Sequence, residues 1–154
     1  MTLQYIIGDI IEAASSGGYD VLAHGCNCFS TMGAGVARVI SRAYPDALKV
    51  DRESPLTPQE KFGTCTIAKC GDIHVANLYT QYNYGTHHQQ VDYNQLSSAF
   101  YQLSKWISST DKPRSTHVLI PRIGVGLGGG DWDIISDIIE HRLRHYLVTV
   151  CSLK

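Results

Sequence analysis

Apolar and polar positions along the chain follow two periods. Short runs rich in β-branched and aromatic residues predict strands at 3–7, 21–24, 64–69, 73–79, 117–120 and 146–151. Between them the period lengthens to that of a helix. Val36, Val39, Ile40 and Ala43 share one face; Leu96, Phe100, Leu103 and Ile107 share another; Ile134, Ile135, Ile138, Ile139 and Leu143 form a third. Gly33 and Gly35 open the first of these helices, and Asp131 and Asp133 stand where an N-cap and a first-turn acid belong in the last. Strands alternating with amphipathic helices predict an α/β sandwich around a largely parallel sheet, with ligands bound beyond the carboxyl ends of its strands. The run DRESPLTPQEKF, 51–62, carries two prolines and several charges and reads as a surface connection, and YNYGTHHQQ, 82–90, as a polar and aromatic loop.

Composition narrows the picture. A chain of 154 residues holds one proper core and is short for two, so a single domain over 1–154 is expected. Thirteen Lys and Arg against 14 Asp and Glu leave a net charge of -1, which gives no electrostatic case for strong nucleic-acid or membrane affinity. No stretch approaches the ~20 apolar residues of a membrane span, and the opening MTLQYIIGDI lacks the pattern of a leader, so a cytoplasmic monomer is expected. Five cysteines at 26, 28, 65, 70 and 151 lack paired C-x-x-C spacing, which suits reduced thiols. Cys65, Cys70 and Cys151 read as small buried apolar residues. His87 and His88 have no third ligand at a suitable spacing, so neither metal nor cofactor is expected.

The candidate chemistry lies in two glycine loops. In LIPRIGVGLGGGDW, 119–132, Gly124, Gly126 and Gly129 spell the G-x-G-x-x-G of a dinucleotide site. That fingerprint needs an acid ~20 residues further on, at the end of the next strand. Thr149 stands there, no Asp or Glu follows Glu140, and 24 residues after Gly130 leave no room for a second mononucleotide half. A phosphate loop is excluded because the chain has no Gly-Lys-Ser/Thr. What remains is the physics of the motif: glycines let backbone N–H groups approach an anion, and a helix N-terminus adds favourable partial charge. The competing reading is a tight strand-to-helix turn. A second loop, HGCNCFSTMGAGVA at 24–37, also leaves a strand for a helix, and the two together suit a diphosphate. His24 and Asn27 are placed at the strand end, where a side chain can face the ligand. A structural role is the competing reading for a lone histidine there, and the company of Asn27 and the glycines weighs against it.

GDI at 8–10, HGCN with MGAGVA, ANLYTQ at 76–81 and PRIGVGLGGGDW, in this order, resemble the macro domain over nearly the whole chain. The resemblance implies a three-layer α/β/α sandwich around a mixed six-stranded sheet that binds ADP-ribose across its carboxyl rim. Residue by residue, it implies that Asp9, between Gly8 and Ile10, accepts from the adenine amino group, an alternative to a plain helix cap. Asn27 would meet the distal ribose; Gly33, Ala34, Gly35 and Val36 the distal ribose and phosphates; and Ile123, Gly124, Val125, Gly126, Leu127, Gly128 and Gly129 would wrap the diphosphate. Tyr82 and Tyr84 are further stacking candidates.

Departures from the family select a branch. The chain lacks Asn-Ala-Ala-Asn, with His24 in place of the first asparagine. Gln81 and Gly128 stand where one hydrolase class has its lysine and aspartate. His-x-Cys-Asn before a glycine turn resembles the yeast-type ADP-ribose 1″-phosphate phosphatases. The expected chemistry is metal-free hydrolysis of the terminal phosphate, with His24 attacking or moving protons, Asp131 as acid/base partner and loop N–H groups stabilising charge. Asp131 has helix capping as its competing role. The alternatives are an ADP-ribosyl hydrolase acting on protein or nucleic acid, and a non-catalytic ADP-ribose-binding module.

Overall fold

A computed structural model describes residues 3–83 and 90–153. Its strands are β1 (Gln4–Ile7), β2 (Val21–Cys26), β3 (Cys65–Cys70), β4 (Ile73–Tyr79), β5 (His117–Ile120) and β6 (Leu147–Ser152). They form one sheet in the order β1-β6-β5-β2-β4-β3. Every pairing is parallel except the antiparallel β3–β4 edge, so the mixed six-stranded sheet expected from the resemblance is the one observed.

Helices cover both faces, which explains why the central strands read as continuous apolar runs. One layer holds α5 (Tyr93–Ser108) and α6 (Trp132–Arg142), packed through Leu96, Phe100, Leu103, Ile135 and Ile139 against Val21, Ala23, Ala76, Val118 and Val148. The other holds α1 (Ile10–Ser15), α2 (Gly35–Ala43) and α3 (Pro45–Glu53), whose Ile10, Ile40 and Ala47 meet Leu22, Val75 and Leu119. A single turn, α4 (Pro58–Lys61), closes with a capping box between Thr57 and Glu60.

Two expectations need correction. The run 51–62 is not wholly a surface connection: it contains the end of α3 and all of α4, and its charges Asp51 and Lys61 are buried at 1% and 3% exposure. Its middle, 52–60, is largely exposed, and the two charges are tolerated inside because they pair with each other. Strand β2, for its part, continues past His24 to Cys26. Gly25 is not a strand end but a point of close approach, where a Cβ would come within 2.9 Å of Thr80 Oγ1 and 3.0 Å of Ile123 Cγ2.

Candidate ligand-binding rim

The loops leaving β1, β2, β4 and β5 emerge at one end of the sheet, because those strands run parallel. Asp9, after β1, is the N-cap of α1, its Oδ1 accepting from Ile11 N at 2.8 Å and Glu12 N at 3.0 Å. Its exposed carboxylate keeps Oδ2 without a partner among the described residues, so capping and ligand contact are compatible. Ile10 and Ile123 are buried at 9% and 2%, and their side chains belong to the core.

The β2–α2 loop is shaped by its own side chains. Asn27 closes a turn, donating to Thr31 Oγ1 at 2.7 Å and accepting from Phe29 N at 2.8 Å. Cys28 stitches the loop to the one after β4, through its N–H to Tyr82 O and its thiol to Gln81 O. Tyr82 packs edge-on to Phe29 at 5.2 Å and against Phe62, which makes it a wall between loops. Tyr84, His87 and His88 lie outside the described residues.

At the far end of this loop α2 begins without a cap. Ala34 occupies the N-cap position with no side-chain hydrogen bond, and the first turn carries no acid. Residues 33–36 are exposed, so N–H groups that an Asp, Asn, Ser or Thr would satisfy elsewhere face outward. By contrast Asp9, Asp92 and Asp131 cap α1, α5 and α6. An uncapped N-terminus with its partial positive charge is a seat for an anion.

Beside it runs the glycine loop after β5, the strand paired with β2. Gly130 N donates to Gly124 O at 2.7 Å and pinches the loop at its base. Gly124 and Gly130 are glycines for packing: a Cβ on either would come within 2.8 Å of Ile135 Cδ1. Gly126 is different. It has φ +62° with open space around the missing Cβ, and it starts a 3₁₀ turn, Gly126–Gly128, that ends on left-handed Gly129. Gly124 and Gly126 keep backbone N–H groups without an acceptor among the described residues. The loop is thus a tight turn pinched between Gly124 and Gly130, with open space at Gly126.

Of the two titratable residues expected to act together, Asp131 is on this rim and His24 is not. Asp131 caps α6 through Oδ1 to Asp133 N at 2.9 Å and is exposed. His24 is 1% exposed and sits on the α3-facing side of β2, in register with Asn77, with Nε2 2.7 Å from Asn77 Oδ1. Burial pulls its pKa down to about 4, against the opposing pull of the Asn77 hydrogen bond and the Asp51 charge. It is a neutral core residue, and the attacking role expected for it is withdrawn.

Around His24 lies a polar network that the sequence did not announce. Asn77 Nδ2 donates to Ala47 O at 2.9 Å and Thr66 Oγ1 at 3.1 Å. Tyr79 OH donates to Asp51 Oδ1 at 2.7 Å, and the same oxygen holds Lys61 Nζ at 2.7 Å. Asp51 Oδ2 is buried without a partner among the described residues. Polar residues at alternate positions of a central strand, Asn77 and Tyr79 in β4, are the signal that could have revealed it. Burial raises the Cys26 thiol, takes Cys28 to about 11 and takes Cys65 to about 12, which holds them in the protonated form. Cys151 is buried, whereas Cys65 and Cys70 are only partly so.

Among the described residues no group of three His, Cys, Asp or Glu side chains is arranged to hold a metal, and no helix is long and apolar enough to cross a membrane. Shallow cavities of about 430 and 520 Å³ lie at the opposite, amino-terminal ends of the strands, by Arg114 and His145 and by Asp20 and Asp72.

A three-layer α/β/α sandwich whose strand-end loops present unpaired backbone donors defines the class. The family is set by a model described as Macro domain, which matches residues 23–139, and the chain belongs to that family. It is 35% identical over 145 residues to an uncharacterised 17.5 kDa protein of Enterobacteria phage T4, covering 91% of this chain and 89% of that one. It is 30% identical over 151 residues to a protein of Lodderomyces elongisporus named ADP-ribose 1″-phosphate phosphatase, covering 91% and 92%. Among solved structures, a macrodomain protein from Streptomyces coelicolor superposes with a TM-score of 0.75 at 24% identity, over 97% of this chain and 98% of the other.

Proposed function

We propose that the protein binds ADP-ribose along the carboxyl rim and hydrolyses the terminal phosphate of ADP-ribose 1″-phosphate. The observation that carries the reading is the uncapped N-terminus of α2 beside the open donors of Gly124 and Gly126. Such paired backbone donors suit a diphosphate and stabilise charge on phosphoryl oxygens without a metal. The name of the L. elongisporus relative supports the choice of substrate.

With His24 in the core, the acid/base work passes to exposed groups. Asp131 uses Oδ1 as a cap and leaves Oδ2 without a partner among the described residues. In the proposed step water attacks phosphorus, the bond from phosphorus to the ribose oxygen breaks, Asp131 takes a proton from the attacking water, and the departing ribose oxygen takes one from solvent at the open rim.

Asp131→Asn separates the two roles, since asparagine caps a helix as well as aspartate does. The variant should melt like the wild type and release inorganic phosphate about 10²-fold more slowly. Equal rates would remove Asp131 from the mechanism. Wild-type protein that binds ADP-ribose yet turns over neither the phosphorylated sugar nor ADP-ribosylated protein would reduce the function to binding.

A further inference from the structure

Ser30 and Met32 are the non-glycine residues with positive φ, 57° and 34°, among the described residues, and both lie in the β2–α2 loop. A side chain disfavours that backbone region, so such a conformation persists only where the surroundings enforce it. Each residue is enforced from below. Met32 is 5% exposed and packs with Cys26, Cys28 and Tyr79. The Ser30 hydroxyl accepts from Lys61 Nζ at 2.7 Å and lies 3.1 Å from Asp51 Oδ1, to which it donates. Lys61 gives its remaining protons to Asp51 Oδ1 at 2.7 Å and Asp51 O at 3.0 Å, so the buried ammonium is saturated only when Ser30 is in place. Tyr79, which Met32 packs against, donates to the same Asp51 oxygen. The two strained residues therefore rest on one buried ion pair supplied by α3 and α4, neither of which contributes to the rim.

We propose that Ser30, clamped by the Lys61–Asp51 pair, is a positioning residue: it latches the β2–α2 loop in its binding conformation before a ligand arrives. The inference rests on the proposed ADP-ribose site for its effect on affinity, and not for the latch itself. Uncapped donors at residues 35–37 are useful only if the loop that leads into them is already set, since ordering a loop on binding weakens affinity.

Hydrogen exchange on the free protein, followed by calorimetry, tests both parts. In Ser30→Ala and Ser30→Gly the amides of Cys28 and Phe29, which donate to Tyr82 O and Asn27 Oδ1, should exchange at least tenfold faster, with those of α5 and β6 unchanged. Affinity for ADP-ribose should fall about tenfold, while AMP, which in the proposed site would reach Asp9 but not this loop, should bind variants and wild type alike. Ser30→Gly is the decisive variant, because it relieves the backbone strain and keeps the fold while removing the hydroxyl. Exchange at the wild-type level in Ser30→Gly overturns the latch, and wild-type ADP-ribose affinity beside faster exchange overturns its part in binding. Wild-type protein that ignores ADP-ribose overturns the ligand reading instead, and the exchange data still decide the latch.

Discussion

The His24 ring stays neutral because burial removes the water that would solvate a charge. Asn77 also fixes the tautomer: its amide nitrogen is committed to Ala47 and Thr66, so its oxygen accepts, and His24 Nε2 carries the proton. Stability should follow pH accordingly. As pH falls below 6.5 the unfolded chain takes up a proton that the folded protein refuses until about 4, so this contribution is whole above 6.5 and is lost on acidification towards 4. Over that window it amounts to about 3 kcal/mol. His24→Gln, which can still donate to Asn77, should show a flatter dependence of melting temperature on pH between 4 and 6.5; a slope as steep as the wild type would place the linkage elsewhere. At this scale the sequence misleads where one residue type serves two ends. A histidine beside glycines looks like a catalyst, and Asp51 and Lys61 look like surface charges, because a string of letters does not show which polar groups face each other across a helix and a sheet.

Elements are more legible, because periodicity is a property of many residues at once. All six strands and the helices α2, α5 and α6 are where their apolar spacing puts them, within a few residues, although of the face read for α2 only Ile40 is buried and Val36, Val39 and Ala43 are exposed. Helix α3 escapes because PDALKVDRE buries only Ala47 and Asp51, too little to mark a face. The rim loops are legible as glycine-rich strand-to-helix connections, yet which glycines would serve the proposed ligand depends on what surrounds each missing Cβ. Replacing Gly126, which has open space around it, with leucine should leave a folded protein with only local strain and abolish ADP-ribose binding by calorimetry; unaltered affinity would sink the cradle. The bare start of α2 makes a sharper case. Ala34→Asp puts a capping carboxylate on a residue already extended at φ -148° and ψ 160°. It should stabilise the protein by about 1 kcal/mol in thermal melts and weaken ADP-ribose binding at least tenfold, since the new charge occupies the donors and repels a diphosphate. Stabilisation without loss of affinity would mean that the diphosphate sits elsewhere.

For the whole molecule, strand order brings the loops after β2 and β5 side by side, distant in sequence though they are, because those two strands pair directly. The resemblance of four short motifs conveyed this arrangement where no single motif did, since a G-x-G-x-x-G alone spells several folds. The same topology governs assembly. Strands β3 and β4 follow one another through a tight turn at Gly71 and Asp72 and pair as neighbours in sequence. Strand β1, in contrast, pairs with β6, Gln4 opposite Thr149, so during synthesis it has no partner until the last strand of the sheet has been made. Meanwhile Tyr5, Ile6 and Ile7, still more than a third exposed in the finished fold, are held open. Contacts this distant in sequence slow folding, and a waiting apolar strand is open to pairing with the wrong chain. A nascent or refolding chain should therefore be at greatest risk of aggregation just before β6 is complete.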